Sequence, residues 1–392
     1  MPQPLSAQTI ALVKATVPAL EAHGLDIIRE MYARMFQNPD IRDLFNQTHQ
    51  GGSESQPRAL TGAILAYANN IDNVTALVPA VERIAQKHVG LQILPEHYPH
   101  VAEALLGAIQ AVLGDAATDE VLDAWGEAYW FLANILIARE RRIYDEQLAV
   151  EGGWNGWRDF RIDEVIRESS TIASFILRPV DGGPVMAHKP GQYLTFWLEI
   201  PGHAPAKRNY SISAAANGQT YRISVKREPH GLVSGWLHQQ RPGTVLKVAA
   251  PAGEFFLPDR PERPVVLLSG GVGLTPMVAM LEALGMKSLT VRYPEWPKGY
   301  TFEGPLLRDV LKAAGARGST IRFLGLDGYE PEIPVTDAHN HDAVLAVKAD
   351  GRYLGIGDRG PVWLVYPRDT DPKLKDMDDA KWLWAGFFMT VE

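Results

Sequence analysis

The sequence predicts a multidomain protein: an all-α region, then an antiparallel β-barrel, then a partial α/β element joined to a β-rich module. Three observations indicate this division. Apolar residues recur every three or four positions up to about residue 147. Short alternating segments with glycine and proline between them fill residues 152–261. A continuous apolar run and a glycine loop occupy residues 262–285, and the pattern changes again over residues 286–392.

The composition restricts the classes of function. The 392 residues are 46% apolar, carry a formal net charge of −8 and include no cysteine. The negative charge argues against a nucleic-acid partner. The lack of cysteine excludes disulfides, thiolate nucleophiles and cysteine-ligated zinc or iron–sulfur sites. The polar start and the absence of a run of about 18 apolar residues predict no signal peptide, no transmembrane segment and a cytoplasmic location.

Six helices are expected in the first region. Ser6 is placed to cap the first helix, and we expect Gly24 to separate it from the second. Asn38-Pro39 should end the second helix. Later helices are expected from about Pro57, around Val81, from about Pro95 and along a final long segment that ends near residue 147.

Two helical stripes end in residues that are costly to bury. His88 continues the stripe of Val81 and Ile84, and Glu140 lies on the apolar side of the last helix. Each alone has an ordinary explanation, a core histidine and a frayed helix end. Together with Tyr98 they favour a metal site, because a ligating histidine commonly donates its other ring N–H to a carboxylate. A helical bundle with one such histidine is a candidate haem pocket.

A second motif lies in the β-rich region. The segment Lys207–Ser213 alternates as a strand does, which places Arg208 and Tyr210 on one face. A guanidinium can bind a pyrophosphate in a bidentate fork, a tyrosine ring can lie against a flavin, and Ser211 can hydrogen-bond at the ring edge. The alternative is a solvated strand face.

Residues 1 to about 284 resemble a flavohaemoglobin, a globin joined to a ferredoxin-reductase-like flavin domain. The resemblance is carried by MYARMF, DLFNQ, AYANNI, AVERIAQKH, EVLDAWGEAYWFLAN and RERRIY, and by Gly191-Gln192-Tyr193-Leu194 and Arg208-x-Tyr210-Ser211. It implies a globin domain over residues 1–147 and an FAD-binding barrel over residues 152–261.

The resemblance also implies the site residues of the globin. His88 would be the proximal ligand of the iron of haem b, in a triad with Tyr98 and Glu140. Tyr32, Gln56 and Leu60 would form the distal pocket, and Phe45 would pack on the haem face. Lys87 would lie near the junction of haem and flavin.

For FAD, the resemblance implies a face that includes a glycine followed by a serine at a helix start, where backbone N–H groups can bind an anion. The implied residues are Gln192, Tyr193, Arg208, Tyr210, Ser211, Val225, Lys226, Arg227, Glu228, Gly231, Val233 and Ser234.

Residues 262–285 predict a buried strand, a glycine loop and a helix. Thr275 is placed to cap the helix and Pro276 to take its first position. Glycines allow a phosphate to approach the helix N-terminus, and the resemblance implies NAD(P)H as the electron donor. The implied contacts are Gly270, Gly271, Val272, Gly273, Leu274, Thr275 and Pro276.

The flavohaemoglobin pattern stops after about Leu284, and the family's Cys-Gly-Pro loop cannot occur in a chain without cysteine. Residues 286–392 resemble small sulfite-oxidase-like domains of the oxidoreductase molybdopterin-binding type. The motifs are Gly304-Pro305-Leu306-Leu307, Leu326-Asp327-Gly328-Tyr329 and Gly360-Pro361-Val362-Trp363-Leu364-Val365. Those enzymes place a cysteine thiolate on the metal, so we expect a metal-free module without molybdopterin.

The junction indicates a fusion or recombined chain. One strand and one helix of a doubly wound sheet cannot bury both faces of that strand, so we expect the module to cover the helix that begins at Thr275. We also expect four tryptophans of the module to lie in its core: Trp296, Trp363, Trp382 and Trp384.

The function that the resemblance implies is nitric oxide dioxygenation. Electrons would pass from NADH or NADPH to FAD and then to haem, and O₂ bound at ferrous haem would convert NO to nitrate. We expect haem and FAD to bind while pyridine nucleotide reduces the flavin poorly. Two alternatives stay open: a gas-binding or sensing globin without turnover, and an electron-transfer protein coupled to the C-terminal module.

Overall fold

The computed structural model describes residues 4–44, 55–257, 269, 271–292, 296–355, 359–375, 377 and 379–392. These residues have the predicted architecture, a helical region followed by an antiparallel barrel and a β-rich module. No helix in this described part is both long enough and apolar enough to span a membrane. The helices of the first region are α1 Ala7–Ala15, α2 Val17–Met35, α3 Pro39–Arg42, α4 Ser55–Asn69, α5 Val78–Leu91, α6 Tyr98–Leu113 and α7 Asp119–Ala149.

The break between the first two helices differs from the prediction. Ser6 caps α1 as expected, but the chain breaks at Thr16 and α2 continues through Gly24. Pro18, in the first turn of α2, has no N–H and cannot extend the hydrogen bonds of α1. Gly24 instead allows close packing, because a Cβ there would lie 2.9 Å from Cγ2 of Thr61 on α4.

The flavin-type barrel is a six-stranded sheet in the order β4-β3-β6-β1-β2-β5, and every neighbouring pair is antiparallel. A bridge between Ile212 and Ile223 joins the ends of β4 and β5 and closes the ring. Phe160, Phe175 and Phe196 are fully buried inside it. The strands are β1 Arg158–Arg167, β2 Ile172–Pro179, β3 Tyr193–Leu198, β4 Ala206–Ser211, β5 Tyr221–Lys226 and β6 Val245–Val248, and α8 Leu232–Leu237 follows β5.

Helix α9 (Thr275–Glu282) is shared between two units. Its Met280 packs on the barrel, since a Cβ at Gly191 would lie 2.9 Å from the Met280 Cε. Leu281 and Leu284 pack against the core of the C-terminal module. The module therefore covers the helix as expected, while the predicted strand over residues 264–268 lies outside the described residues.

The C-terminal module contains three small antiparallel sheets, in the orders β13-β12-β8-β7, β11-β14 and β10-β9-β15. Trp363 and Trp382 are buried in its core and Trp296 packs against it, but Trp384 is 49% exposed, so that prediction is wrong for Trp384. The elements are β7 Lys287–Val291, β8 Tyr300–Gly304, α10 Leu307–Ala313, β9 Thr320–Gly325, β10 Glu332–Pro334, α11 Val335–Asn340, β11 Val344–Ala346, β12 Lys348–Ala349, β13 Arg352–Tyr353, β14 Trp363–Val365 and β15 Gly386–Val391.

Candidate functional site

Three helices bring His88, Tyr98 and Glu140 together. The Nδ1 atom of His88, on α5, lies 2.7 Å from Oε1 of Glu140 and 3.1 Å from the Tyr98 hydroxyl oxygen. Tyr98, at the start of α6, donates its hydroxyl proton to the same Glu140 oxygen over 2.6 Å. Glu140, on α7, is 2% exposed. The two costly stripe residues of the sequence are therefore partners in one buried cluster.

The electrostatics of this cluster keep the hydroxyl proton on Tyr98. Burial, and next the Glu140 carboxylate, hold the pKa of the Tyr98 hydroxyl far above its usual range. Tyr98 thus remains a donor and Glu140 an acceptor, and the Nδ1–H of His88 is the second donor to this carboxylate. The Nε2 atom then carries the free lone pair. This donor set fits a haem iron held by Nε2, with Glu140 as the outer partner of the imidazole.

The predicted distal residues lie on α2 and α4. Burial raises the pKa of Tyr32 to about 12, and a hydrogen bond with Gln56 opposes that shift. Tyr32 stacks on Phe36 with ring centroids 5.3 Å apart, and Leu60 is part-buried against the helical core. Phe45 lies outside the described residues.

The Arg-Tyr-Ser motif lies on β4 as predicted. Tyr210 and Ser211 pair with Leu194 and Tyr193 of β3. Burial raises the pKa of Tyr210 to about 12, against an opposing effect of the Arg208 charge. Arg208 is itself part-buried, and its Nη1 donates to the Lys207 carbonyl over 2.7 Å. A part-buried guanidinium beside a buried phenol fits an anionic, flat ligand such as FAD.

Gln192 and Tyr193, at the start of the partner strand β3, face different parts of the molecule. Gln192 stays with the barrel, where its amide accepts the Lys189 N–H at 2.9 Å and donates to the Gly253 carbonyl at 3.3 Å. Tyr193 instead faces the helical region, with its hydroxyl 3.5 Å from the Gln86 carbonyl on α5.

The predicted phosphate segment surrounds the start of α8. Lys226 pairs with Glu228 at 2.9 Å, and the Glu228 N–H donates to the Ser234 hydroxyl at 3.1 Å. Val225 and Val233 are 1% and 3% exposed, and the Val225 carbonyl lies 2.8 Å from Nε2 of His238, so both residues are part of the barrel core. The remaining members are the exposed Arg227 and the part-buried Gly231.

The glycine loop has a different helix start from the one predicted. Gly271, Val272, Gly273 and Leu274 form a 3₁₀ turn, and Gly270 lies outside the described residues. Thr275 is the first residue of α9 and Pro276 the second, so Thr275 does not cap the helix. Its hydroxyl is engaged elsewhere, as a donor to the Val272 carbonyl over 3.0 Å.

Helix α5 has the imidazole on one side and the barrel on the other. Gln86 and Gly90 lie two residues before and after His88, roughly 200° around the helix from it. The Gln86 side chain accepts the Gly253 N–H at 3.0 Å, and a Cβ at Gly90 would lie 2.9 Å from the Thr195 hydroxyl oxygen. Lys87, the predicted junction residue, is exposed.

Lys207 also joins α5 to the barrel, and the sequence prediction missed it. Lys207 is 3% exposed, and its Nζ donates to the Leu91 carbonyl at the end of α5 over 2.9 Å. One sequence signal could have identified it: strand alternation places Lys207 on the face of β4 opposite to Arg208 and Tyr210.

A second missed group, centred on Glu282, joins the barrel to the module. Glu282 accepts the Ala215 N–H at 3.0 Å and lies 3.3 Å from Nζ of Lys348. It also accepts the Tyr353 hydroxyl, which in turn accepts Nη1 of Arg222. Arg222 and Glu282 are 8% and 9% exposed. We call these four side chains (Arg222, Glu282, Lys348 and Tyr353) the module cluster.

Known protein families resemble successive parts of the chain. The globin family model matches residues 29–136, that of the oxidoreductase FAD-binding domain residues 159–257, and that of the oxidoreductase molybdopterin binding domain residues 285–384.

Whole proteins resemble the first two parts together. The flavohemoprotein of Xylella fastidiosa is 58% identical over 280 residues, which are 71% of this chain and 70% of that protein. The flavohemoprotein of Halalkalibacterium halodurans is 48% identical over 289 residues, again 71% and 70% of the two chains. The structure of the flavohemoglobin from Malassezia yamatoensis with bound FAD and heme has a TM-score of 0.66 and 29% identity, over 72% of this chain and 74% of that one.

Proposed function

Because the chain belongs to the flavohemoprotein family, we propose that it is a nitric oxide dioxygenase that uses NAD(P)H, FAD and haem to convert NO and O₂ to nitrate. The observation that carries the proposal is the bond from Nδ1 of His88 to the buried Glu140 carboxylate, 2.7 Å long. An anionic partner makes the imidazole a stronger donor to iron, which favours activation of O₂ over simple storage.

The residues of the helical region prepare both sides of the iron position. Bound haem would supply the iron at which O₂ reacts. Glu140 and Tyr98 hold the His88 ring in one tautomer, with Nε2 free for the metal. On the other side, Tyr32 keeps its hydroxyl proton because its pKa is about 12, so it serves as a hydrogen-bond donor to a partly anionic ligand.

The barrel residues hold the flavin near α5. Arg208 would supply the positive charge for the pyrophosphate, and Tyr210 would supply an aromatic surface for the isoalloxazine. The contacts of Gln86 and Gly90 with the barrel place the helix of His88 directly on this domain. This arrangement supports electron transfer from flavin to haem within one chain.

We further propose that pyridine nucleotide reduces the flavin poorly. From residue 285 the chain matches the molybdopterin-binding family instead of a nucleotide domain. Helix α9 also packs on the barrel through Met280 and on the module through Leu281 and Leu284. The usual remainder of a nucleotide-binding sheet therefore has no counterpart beside this helix in the described residues.

Two measurements test these proposals. With a chemical or photochemical electron supply, aerobic protein should consume NO continuously and form nitrate; binding of NO without turnover would leave only a gas-binding globin. In anaerobic mixing with excess NADH, flavin bleaching should be far slower than ordinary turnover, about 1–10³ per second. Bleaching within that range would show that the nucleotide site is intact.

The module cluster favours a second function, electron transfer between the flavin and the C-terminal module. Tyr353 and Lys348 of the module reach Glu282 and Arg222 directly. Metal analysis of the purified protein separates the two candidates, since only the second needs a redox-active group in the module.

A further inference from the structure

Lys207 lies where the flavin-binding strand contacts the end of the haem-ligand helix. It directly precedes Arg208 on β4, and its Nζ donates to the Leu91 carbonyl over 2.9 Å. Two indole rings flank the amine, with centroids 5.1 Å away for Trp197 and 5.4 Å for Trp157. Among the described residues, no carboxylate lies within ion-pair distance of this Nζ.

The burial of this amine is energetically unfavourable. Desolvation lowers the pKa of Lys207 to about 8, although the more distant charge of Asp43 acts in the opposite direction. Taking a charged group out of water carries a large free-energy cost, and here the charge has only a neutral carbonyl, that of Leu91, as its hydrogen-bond acceptor. Lys207 is therefore poorly explained as a stabilising residue, and its position needs another reason.

The geometry supplies that reason. Leu91 ends α5 three residues after His88, and the last carbonyls of a helix have no partner within it. Because side chains alternate along a strand, Lys207 points away from the face that carries Arg208 and Tyr210. The Arg208 side chain also binds back to the Lys207 carbonyl over 2.7 Å. One dipeptide thus holds the haem helix with one side chain and the flavin face with the next.

We propose that Lys207 is a positioning residue that sets the placement of the flavin strand against the haem helix, and so the rate of electron transfer between the two cofactors. With both cofactors bound, one electron would leave reduced flavin and reduce ferric haem iron to ferrous, and Lys207 would neither donate nor accept that electron. This inference rests on the proposed binding of haem and FAD, but not on the reaction with NO.

The test compares Lys207→Met with a matched control in the haem- and FAD-loaded protein. Met keeps an apolar chain of similar length and removes the amine, and Lys207→Gln retains an N–H donor as a partial rescue. The control is Lys247→Met on β6, which lies on the other side of β3 from β4. There Lys247 pairs with Trp197 of β3 in register, and its side chain is 49% exposed. The readouts are haem and FAD content, thermal midpoint, amide hydrogen exchange over residues 88–93, and haem reduction after photoreduction of the flavin.

In Lys207→Met we expect unchanged haem and FAD content, an equal or higher thermal midpoint, faster exchange over residues 88–93, and electron transfer slowed about tenfold. Lys207→Gln should recover part of the rate, and Lys247→Met should match the wild type. Wild-type exchange and transfer in Lys207→Met would overturn the proposal. A lower midpoint together with loss of either cofactor would also overturn it, because that outcome means a plain structural role. If NO turnover fails in the wild type, these measurements still decide the role of Lys207.

Discussion

The barrel meets the globin through α5 with neutral hydrogen bonds, a glycine contact, one buried lysine and an exposed ion pair between Arg83 and Glu254. It meets the C-terminal module through α9 with a largely buried group of charges. On the α5 side, Gln86 and Gly90 bring the backbones close together. On the α9 side, Glu282 contacts Lys348 directly and is linked to Arg222 through the Tyr353 hydroxyl. The interface at α5 therefore depends mainly on close packing. The interface at α9 depends on each charged side chain keeping its partner.

The largest effect is expected from removing the His88 imidazole at the centre of the globin region. His88→Ala removes the ring nitrogen that would hold iron, so purified protein should lack the haem Soret band while the flavin spectrum persists. The exposed His100→Ala is the control and should bind haem normally. A Soret band unchanged in His88→Ala would make the ligand assignment wrong.

The next effect breaks the module side. Glu282→Ala leaves the buried Arg222 and the part-buried Lys348 without the carboxylate, which should lower the free energy of unfolding by about 3–5 kcal/mol. Urea denaturation followed by tryptophan fluorescence measures this change. Lys298→Ala, which removes the surface pair with Asp350, should leave the same transition nearly unmoved. Equal effects of the two variants would show that the module cluster does not stabilise the contact between the barrel and the module.

A pH series sharpens the contrast, because the amine of Lys207 is a buried charge on the α5 side. Its folded-state pKa is about 8, below the 10.5 of an exposed lysine. Between those values the unfolded chain binds more protons than the folded one, so stability rises with pH in this window. The stability of Lys207→Met relative to the wild type should therefore be highest at pH 7 and should fall by roughly 3 kcal/mol as the pH rises above 10. Paired thermal melts check this, and a constant difference would contradict it.

The smallest expected effect tests the close contact itself. Gly90→Ala should cost about 1–2 kcal/mol, because the new Cβ would lie 2.9 Å from the Thr195 hydroxyl oxygen and 3.3 Å from the Tyr193 ring. Gly62→Ala is a matched control, since nothing lies within 4 Å of its added Cβ. By helix propensity that control should be neutral or stabilising, by up to about 1 kcal/mol. Circular dichroism melts of both variants give the comparison.

The sequence predicted the parts of this molecule that depend on local pattern. The spacing of His88 and Glu140 on apolar stripes anticipated the burial of Glu140 and the partial burial of His88, and alternation placed the Arg208 motif on a strand. The helix break at Gly24 was wrong, because a glycine needed for close packing on Thr61 has the same appearance in sequence as a helix terminator. The cap at Thr275 was wrong because the preceding 3₁₀ turn already engages its hydroxyl.

The contacts between units could not be predicted in the same way. Glu282 resembles an ordinary polar residue at a helix end, and its partners Ala215 and Tyr353 lie 67 and 71 positions away. Lys207 resembles a surface lysine until β4 is known to lie against the end of α5. Local periodicity contains no information about such distant partners.

Helix α5 carries His88 between two points of attachment to the barrel, Gln86 and Gly90. A shift of the imidazole along the helix therefore strains the flavin-bearing domain, and a shift of that domain strains the imidazole. Coupling of this kind is reciprocal. If bound flavin changes the affinity for a gas by some factor, the bound gas changes the affinity for flavin by the same factor. Binding of oxygen or nitric oxide would then change how tightly the protein holds its flavin.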